Sequence, residues 1–333
     1  MKKTFIAAAL AMSFGLSAMA QTTNPLLERR FNTPHEIAPF SKITTDNYRE
    51  AYLLGMEEAK KEIDAIVNNP EAPTFENTIV ALDCSGSLLR RTAGVFGGLS
   101  RSCSTPEYQQ LESELSPLLS AHSDYINMNE ALFKRVKAVY DQQASLNLNT
   151  EQKRLLDKTY KGFVRGGALL DKAQKQRLSE INLQLAKLQL QFTQNLMHDT
   201  NQSYVTVDNI SDLEGLSEGD IHKAAALAER TGAKGKYRFN MQRPSCNPVL
   251  QYAKNRELRR QVYEMYNNRC NHNDQYDNKA ISAQIVALRL EEAKLMGYNT
   301  FADMQLETRM AKKPENVYNL LDQIWKPAVE AAN

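Results

Sequence analysis

The sequence of 333 residues carries 41 basic and 39 acidic side chains, five histidines and four cysteines. Without Lys2 and Lys3, which lie in a segment that reads as removable, basic and acidic residues balance at 39 each. That neutrality argues against nucleic acid or an anionic membrane surface as a main partner, because both select a basic excess.

The chain opens like an export signal. Lys2 and Lys3 give a positive start, Thr4 to Leu16 is an apolar run too short to span a bilayer, and Ser17-Ala18-Met19-Ala20 supplies the small residues of a cleavage site. Cleavage between Ala20 and Gln21 is expected, with a periplasmic destination. Position 21 is not Cys, which argues against a lipid anchor. No later stretch reaches the roughly 18 apolar residues that cross a membrane. The remainder is long enough for two packed units, at roughly 100–200 residues each.

Helical spacing dominates the rest of the chain. Tyr52, Met56, Ala59, Ile63 and Ile66 step by four and three and draw one stripe along a helix. Thr45 or Asp46 is expected to cap its start, and Asn68-Asn69-Pro70 to end it. A second helix is expected from about Thr74 through Ile79, Leu82 and Leu88-Leu89. The clearest helix runs from Asp171 to about His198, with Leu178, Ile181, Leu185, Leu188, Phe192 and Leu196 in register. Leu183 and Leu190 fall off that stripe, which predicts burial of more than one face.

Two short segments, 203–207 and 236–240, are rich in β-branched and aromatic residues and alternate like strands. Between them Ser217 opens an alanine-rich helix that ends near Gly232, so a small β-α-β-like insert is expected. The Pro and Asn cluster from Pro244 to Pro248 reads as a boundary. Helices are then expected at about 248–268 and 278–296, the latter closed by Gly297, and after Thr300. A last helix opens with Pro314 and is expected to turn Val317, Leu320, Leu321 and Ile324 inward. The chain stops at Asn333 with nothing to complete a cap, which reads as a cut.

The residue types that carry chemistry are sparse. No two of His35, His122, His198, His222 and His272 have the i, i+4 spacing that sets two imidazoles on one helical face for zinc. His35-Glu36 begins like H-E-x-x-H, but Pro39 stands where the second histidine is required, so His35 reads as a loop residue. His272 with Asp274 and Asp277 reads as a helix-start cluster in which Asn and Asp satisfy backbone N–H groups.

Cys84, Cys103, Cys246 and Cys270 contain no C-x-x-C pair; they read as small buried side chains, with any pairing left open. Gly97-Gly98-Leu99-Ser100 lacks the spacing of a serine nucleophile motif, and Arg165-Gly166-Gly167 reads as a helix break. The basic and aromatic stretch 256–269 reads as a solvated helix face, its arginines alternating with Glu257 and Glu264. On residue chemistry alone, no catalytic site is visible.

Resemblance adds a function. The segment from Gly297 through Phe301-Ala-Asp303 to Met310-Ala-Lys-Lys-Pro314-Glu315 resembles the thimet-oligopeptidase family of zinc metallopeptidases. Asn24-Pro-Leu26, Asn69 to Ile79, Ser85 to Leu89, Gly162 to Leu170 and Leu213 to Glu218 resemble its bacterial peptidyl-dipeptidase branch. The resemblance implies a mainly α fold, one half of a helical ellipsoid with a small two-stranded β insert. It divides the chain into a signal peptide (1–20), an amino-terminal helical domain (21–243) and the start of the helical peptidase domain (244–333).

In such enzymes zinc is held by the two histidines of an H-E-x-x-H helix and a later glutamate, and oligopeptides are cut by metal-assisted hydrolysis. None of those residues has a counterpart here, so the resemblance assigns no catalytic or metal residue to this chain. It implies oligopeptides and the missing carboxy-terminal catalytic half as partners, in a monomer. The chain alone is expected to be inactive. A non-catalytic peptide-binding module, or one half of an enzyme completed by a second polypeptide, is the alternative reading.

Overall fold

The computed structural model describes residues 24–333. The signal segment and its cleavage point at Ala20 and Gln21 therefore lie outside the described residues. The fold is mainly α with one small two-stranded sheet, as the sequence predicts.

Helix α1 (Thr45–Val67) buries the predicted stripe. Its cap is Thr44, one residue before the expected one, whose hydroxyl accepts from Asn47 N while the Asn47 side chain answers Thr44 N. This reciprocal pairing satisfies two orphan donors of the first turn. The second expected helix is broken into three pieces: a wide π-type turn (Phe75–Val80), α2 (Ala81–Cys84) and α3 (Ser87–Ser102). Gly86 makes the break, at φ +67°, a left-handed geometry that suits glycine. Gly55 lets α1 and α3 meet closely, since a Cβ there would stand 2.9 Å from the backbone of Leu89.

Helices α4 (Pro106–Asn127), α5 (Glu130–Asp141) and α6 (Thr150–Arg165) complete the first part. Two cores hold it. Leu26, Tyr48, Tyr52, Phe96, Leu111 and Leu115 pack where α1, α3 and α4 meet. Ile63, Phe75, Ile79, Leu132, Val136, Leu156 and Phe163 pack around the π-type turn, α5 and α6. The Asn69–Ile79 motif is explained here. The buried guanidinium of Arg135 donates to the carbonyls of Asn69 (2.9 Å) and Glu71 (3.2 Å) and to the Asn77 side chain (3.2 Å), fixing the loop that enters the π-type turn.

Helix α7 (Lys172–Gln202) is the spine, 31 residues long, or about 46 Å at the helical rise. Asp171 caps it, and Leu178, Ile181 and Leu185 are buried, the last two against Ile281, Ile285 and Leu288. After it, β1 (Tyr204–Val207) and β2 (Tyr237–Asn240) pair antiparallel, Val205 facing Phe239. The connection carries α8 (Glu218–Arg230), capped by Ser217 and ended by Gly232. The two strands thus form a long-linked antiparallel pair, which differs from the parallel geometry of a true β-α-β unit.

The Pro and Asn cluster is helical, within α9 (Arg243–Tyr252), and the helix expected over about 248–268 is broken between Ala253 and Asn255, where the backbone is extended and Asn255 caps a new helix. Pro244 occupies its first turn, where a missing N–H costs nothing. Next come α10 (Arg256–Asn267), α11 (Lys279–Leu295), α12 (Phe301–Leu306) and α13 (Pro314–Ala332). The sequence reading of α13 fails in one respect. Leu320, Leu321 and Ile324 do not turn inward: each is more than half exposed, and α13 buries no residue. Among the described residues no helix is long and apolar enough to cross a membrane.

Candidate functional site: a polar cleft where two motifs meet

A cavity of about 890 Å³ lies between α3 and α4 on one side and α7 and α11 on the other, with α12 at one end. Ser116, Ser120 and Ser123 project from successive turns of α4, and Asn182 and Gln189 from α7. Phe96, Leu119 and Leu190 add apolar wall. No histidine or cysteine among the described residues lines the cleft, so none of its serines has an imidazole base beside it. The groups on offer are hydrogen-bonding and charged side chains.

Arg165 anchors one end. It is the last residue of α6, released by Gly166 and by Gly167 at φ +92°. Its guanidinium donates to Glu307 at 2.8 Å and lies 3.5 Å from the Tyr298 hydroxyl, which itself donates to Glu307 at 2.5 Å. The Tyr298 hydrogen bond, with Arg165 beside it, holds the Glu307 carboxyl below its usual value, although burial opposes this. Burial and the same bond push the Tyr298 hydroxyl up. The segment Gly162–Leu170 and the segment Gly297–Glu315, each of which carries a family motif, therefore meet across 142 residues at one ion pair.

Glu292 is another charged group of the cleft, along with Arg101, Glu112, Asp124 and Arg289. It stands three residues after Arg289 on α11, and burial raises its carboxyl pKa while Arg289 and Arg165 pull the other way. No ion pair within 4.0 Å satisfies it among the described residues, because Arg165 is engaged by Glu307 and the Arg289 guanidinium lies over the Phe301 ring at 5.1 Å. Sequence reasoning missed Glu292, Arg289 and the row of serines. The only available signal was the three- and four-residue spacing of Ser116, Ser120 and Ser123, which is too common on helices to single out.

Of the residues weighed as metal or nucleophile candidates, Gly97 and Ser100 line the cleft, whereas the histidines and cysteines do not. His35 occupies a short turn at φ +58°. His272 does not join Asp274 and Asp277; its Nε2 lies 3.0 Å from the buried carboxylate of Asp199, near the end of α7. Asp199 also accepts from the backbone N–H of Cys270 (2.6 Å) and the hydroxyl of Ser203 (2.7 Å), and these bonds hold its pKa down against a burial effect that raises it. Asp277 accepts from the backbone of Asn273 and Lys279, which with the Lys279 ammonium pulls it down to about 2. His198 stacks on Tyr276 at 3.6 Å.

Among the described residues no three His, Cys, Asp or Glu side chains converge to hold a metal ion, so the residues present do not fit zinc. All four cysteines are free thiols. Cys246 and Cys270 are buried as expected, whereas Cys84 and Cys103 are exposed, because α2 and the end of α3 lie at the surface. The 256–269 stretch is the expected solvated face, with Arg260 paired to Glu257 (2.5 Å) and Glu264 (2.7 Å).

The sequence pattern of Peptidase family M3 matches residues 249–333, from within α9 to the last residue. A dipeptidyl carboxypeptidase of Salmonella typhimurium is 34% identical over 307 residues, which cover 92% of this chain and 45% of the relative. Its Escherichia coli counterpart is 33% identical over 312 residues, or 94% of this chain and 46% of the relative. The similarity to these two proteins runs through nearly all of the described residues. Oligopeptidase A of Escherichia coli is also similar, at 30% over 92% of this chain and 45% of that protein. The chain thus spans less than half the length of these relatives, and the cleft is built partly by the M3-matching region (Arg289, Glu292 and Phe301) and partly by the helices before it.

Proposed function

We propose that this chain is the amino-terminal portion of an exported zinc metallopeptidase of the peptidyl-dipeptidase type, which removes dipeptides from oligopeptides. The observation that carries the reading is the similarity to two proteins named dipeptidyl carboxypeptidase, which extends over 92% and 94% of this chain. The meeting of the two motif segments at Arg165 and Glu307 supports it, since the cleft they border is wide enough for a peptide. Zinc and the water-activating glutamate belong, in this reading, to the carboxy-terminal half of a longer protein.

The division into an amino-terminal domain (21–243) and the start of the peptidase domain (244–333) is part of the proposal. The start of the M3 match at residue 249 supports it. So is a periplasmic monomer, which the signal-like residues before Gln21 support. Cell fractionation checks the location.

The activity is tested by giving peptides with free and amidated carboxyl ends to the 333-residue chain and to a longer product of the same gene. The reading predicts no stoichiometric zinc and no hydrolysis for the 333-residue chain, and chelator-sensitive release of carboxy-terminal dipeptides for the longer protein. Chelator-sensitive hydrolysis by the 333-residue chain itself would refute the placement of the chemistry. Cleavage inside peptides would move the assignment toward the oligopeptidase A type.

A further inference from the structure

The last helix is an amphipathic element with nothing among the described residues on its apolar side. Val317, Leu320, Leu321 and Ile324 follow the three- and four-residue steps of one helical face, and Tyr318 and Trp325 flank it. Trp325 is 71% exposed, Leu320 58% and Ile324 55%. Asn316, Asn319, Asp322, Gln323, Lys326 and Glu330 occupy the remaining positions. Met310, in the loop just before α13, is 97% exposed. A contiguous apolar patch of this kind is rare on a surface that stays in water, and it marks one that something covers. The polar residues opposite it show that the helix has one side for water and one side for a partner.

We infer that this face of α13, with Met310 at its edge, is the seat on which the polypeptide following Asn333 in a longer protein folds back. One observation favours that occupant over a second copy: the face lies inside the region that matches the M3 pattern, while the chain spans only 45% and 46% of the two dipeptidyl carboxypeptidases it resembles. The inference rests on the reading of this chain as part of a longer peptidase.

Trp325 is the single tryptophan of the 333 residues, so its fluorescence reports on this face without any substitution. Emission and iodide quenching are measured on the 333-residue chain, on the longer gene product, and on that product carrying L320E and I324E. Any further tryptophan in the longer product is replaced by phenylalanine. The inference predicts red-shifted, freely quenched emission from the 333-residue chain. It predicts blue-shifted emission in the longer protein, with quenching reduced several-fold, and reversal of that shift in the double variant.

Hydrogen exchange on the unsubstituted longer protein gives a second readout, since α13 should be protected there and not in the shorter chain. Equal quenching of Trp325 in both proteins would overturn the inference. So would a dimer of the longer protein with Trp325 at its interface, which would assign the face to a second copy. A longer protein that buries Trp325 but has no peptidase activity would sink the functional reading and leave the docking surface standing.

Discussion

Helices α7 and α13 are both long, amphipathic and legible from sequence, yet their apolar stripes have opposite fates. In α7, Leu178, Ile181 and Leu185 are buried, two of them against Ile281, Ile285 and Leu288 of α11, and the bidentate pair of Arg177 with Glu291 (2.6 and 2.8 Å) ties the two helices along one edge. In α13, Leu320, Leu321 and Ile324 meet water. Periodicity states which face of a helix is apolar; it does not state what covers that face. The difference teaches that, among the described residues, the apolar face of α7 is covered and that of α13 is not.

The largest effect that could break this comparison is expected at Ile181. Its side chain is fully buried, and Ile181→Ala should cost about 2–5 kcal/mol in urea unfolding, because the cavity cannot collapse between two long helices. A loss below about 1 kcal/mol would mean that the α7 stripe is no better packed than that of α13.

A smaller effect is expected where the two regions are joined. Arg165→Met removes the bonds to Glu307 and Tyr298 while keeping much of the side-chain bulk. Because Glu307 is half exposed, the loss should be about 1 kcal/mol, seen as faster hydrogen exchange confined to residues 297–307. Unchanged exchange there would show that the two motifs touch without holding each other.

His122 sharpens the comparison through pH. It lies buried on α4, the helix that α7 packs against, with its Nδ1 unpartnered, and burial followed by the nearby Lys60 ammonium lowers its pKa. The unfolded chain then binds a proton below about pH 6.5 that the folded chain resists, so stability falls as pH drops through that value. His122→Phe should flatten this part of the stability profile between about pH 7 and 5; an equal slope in both proteins would contradict it.

The smallest effect is expected on α13 itself. Leu320→Ala and Ile324→Ala should each change the stability of the 333-residue chain by less than about 0.5 kcal/mol, since neither loses a buried contact.

Most of the helical fold was legible because stripes and caps coincide: Asp171, Ser217 and Thr300 cap α7, α8 and α12 at the starts that the residues imply. Three features were not. The Thr74–Leu89 helix is split by Gly86, and a single glycine in an apolar pattern does not announce a left-handed break. The Pro244–Pro248 cluster is helical because Pro244 falls in a first turn. Helices α4 to α6 were not singled out, although Thr105, Asn129 and Asn149 cap them and Leu132, Val136 and Val139 draw a buried stripe along α5. The cleft was hidden for a different reason. Ser116, Asn182, Arg165 and Glu292 come from four helices, and only the fold brings them together. What the sequence did carry were the motifs containing Arg165 and Glu307, read through resemblance and not through chemistry.

The most direct test of the central claim is to read the gene beyond codon 333. The account predicts an uninterrupted frame that continues to an H-E-x-x-H helix and brings the product to about twice this length, as the 45% share of the relatives requires. A stop codon at that point, with no complementary frame encoding such a motif nearby, would contradict it.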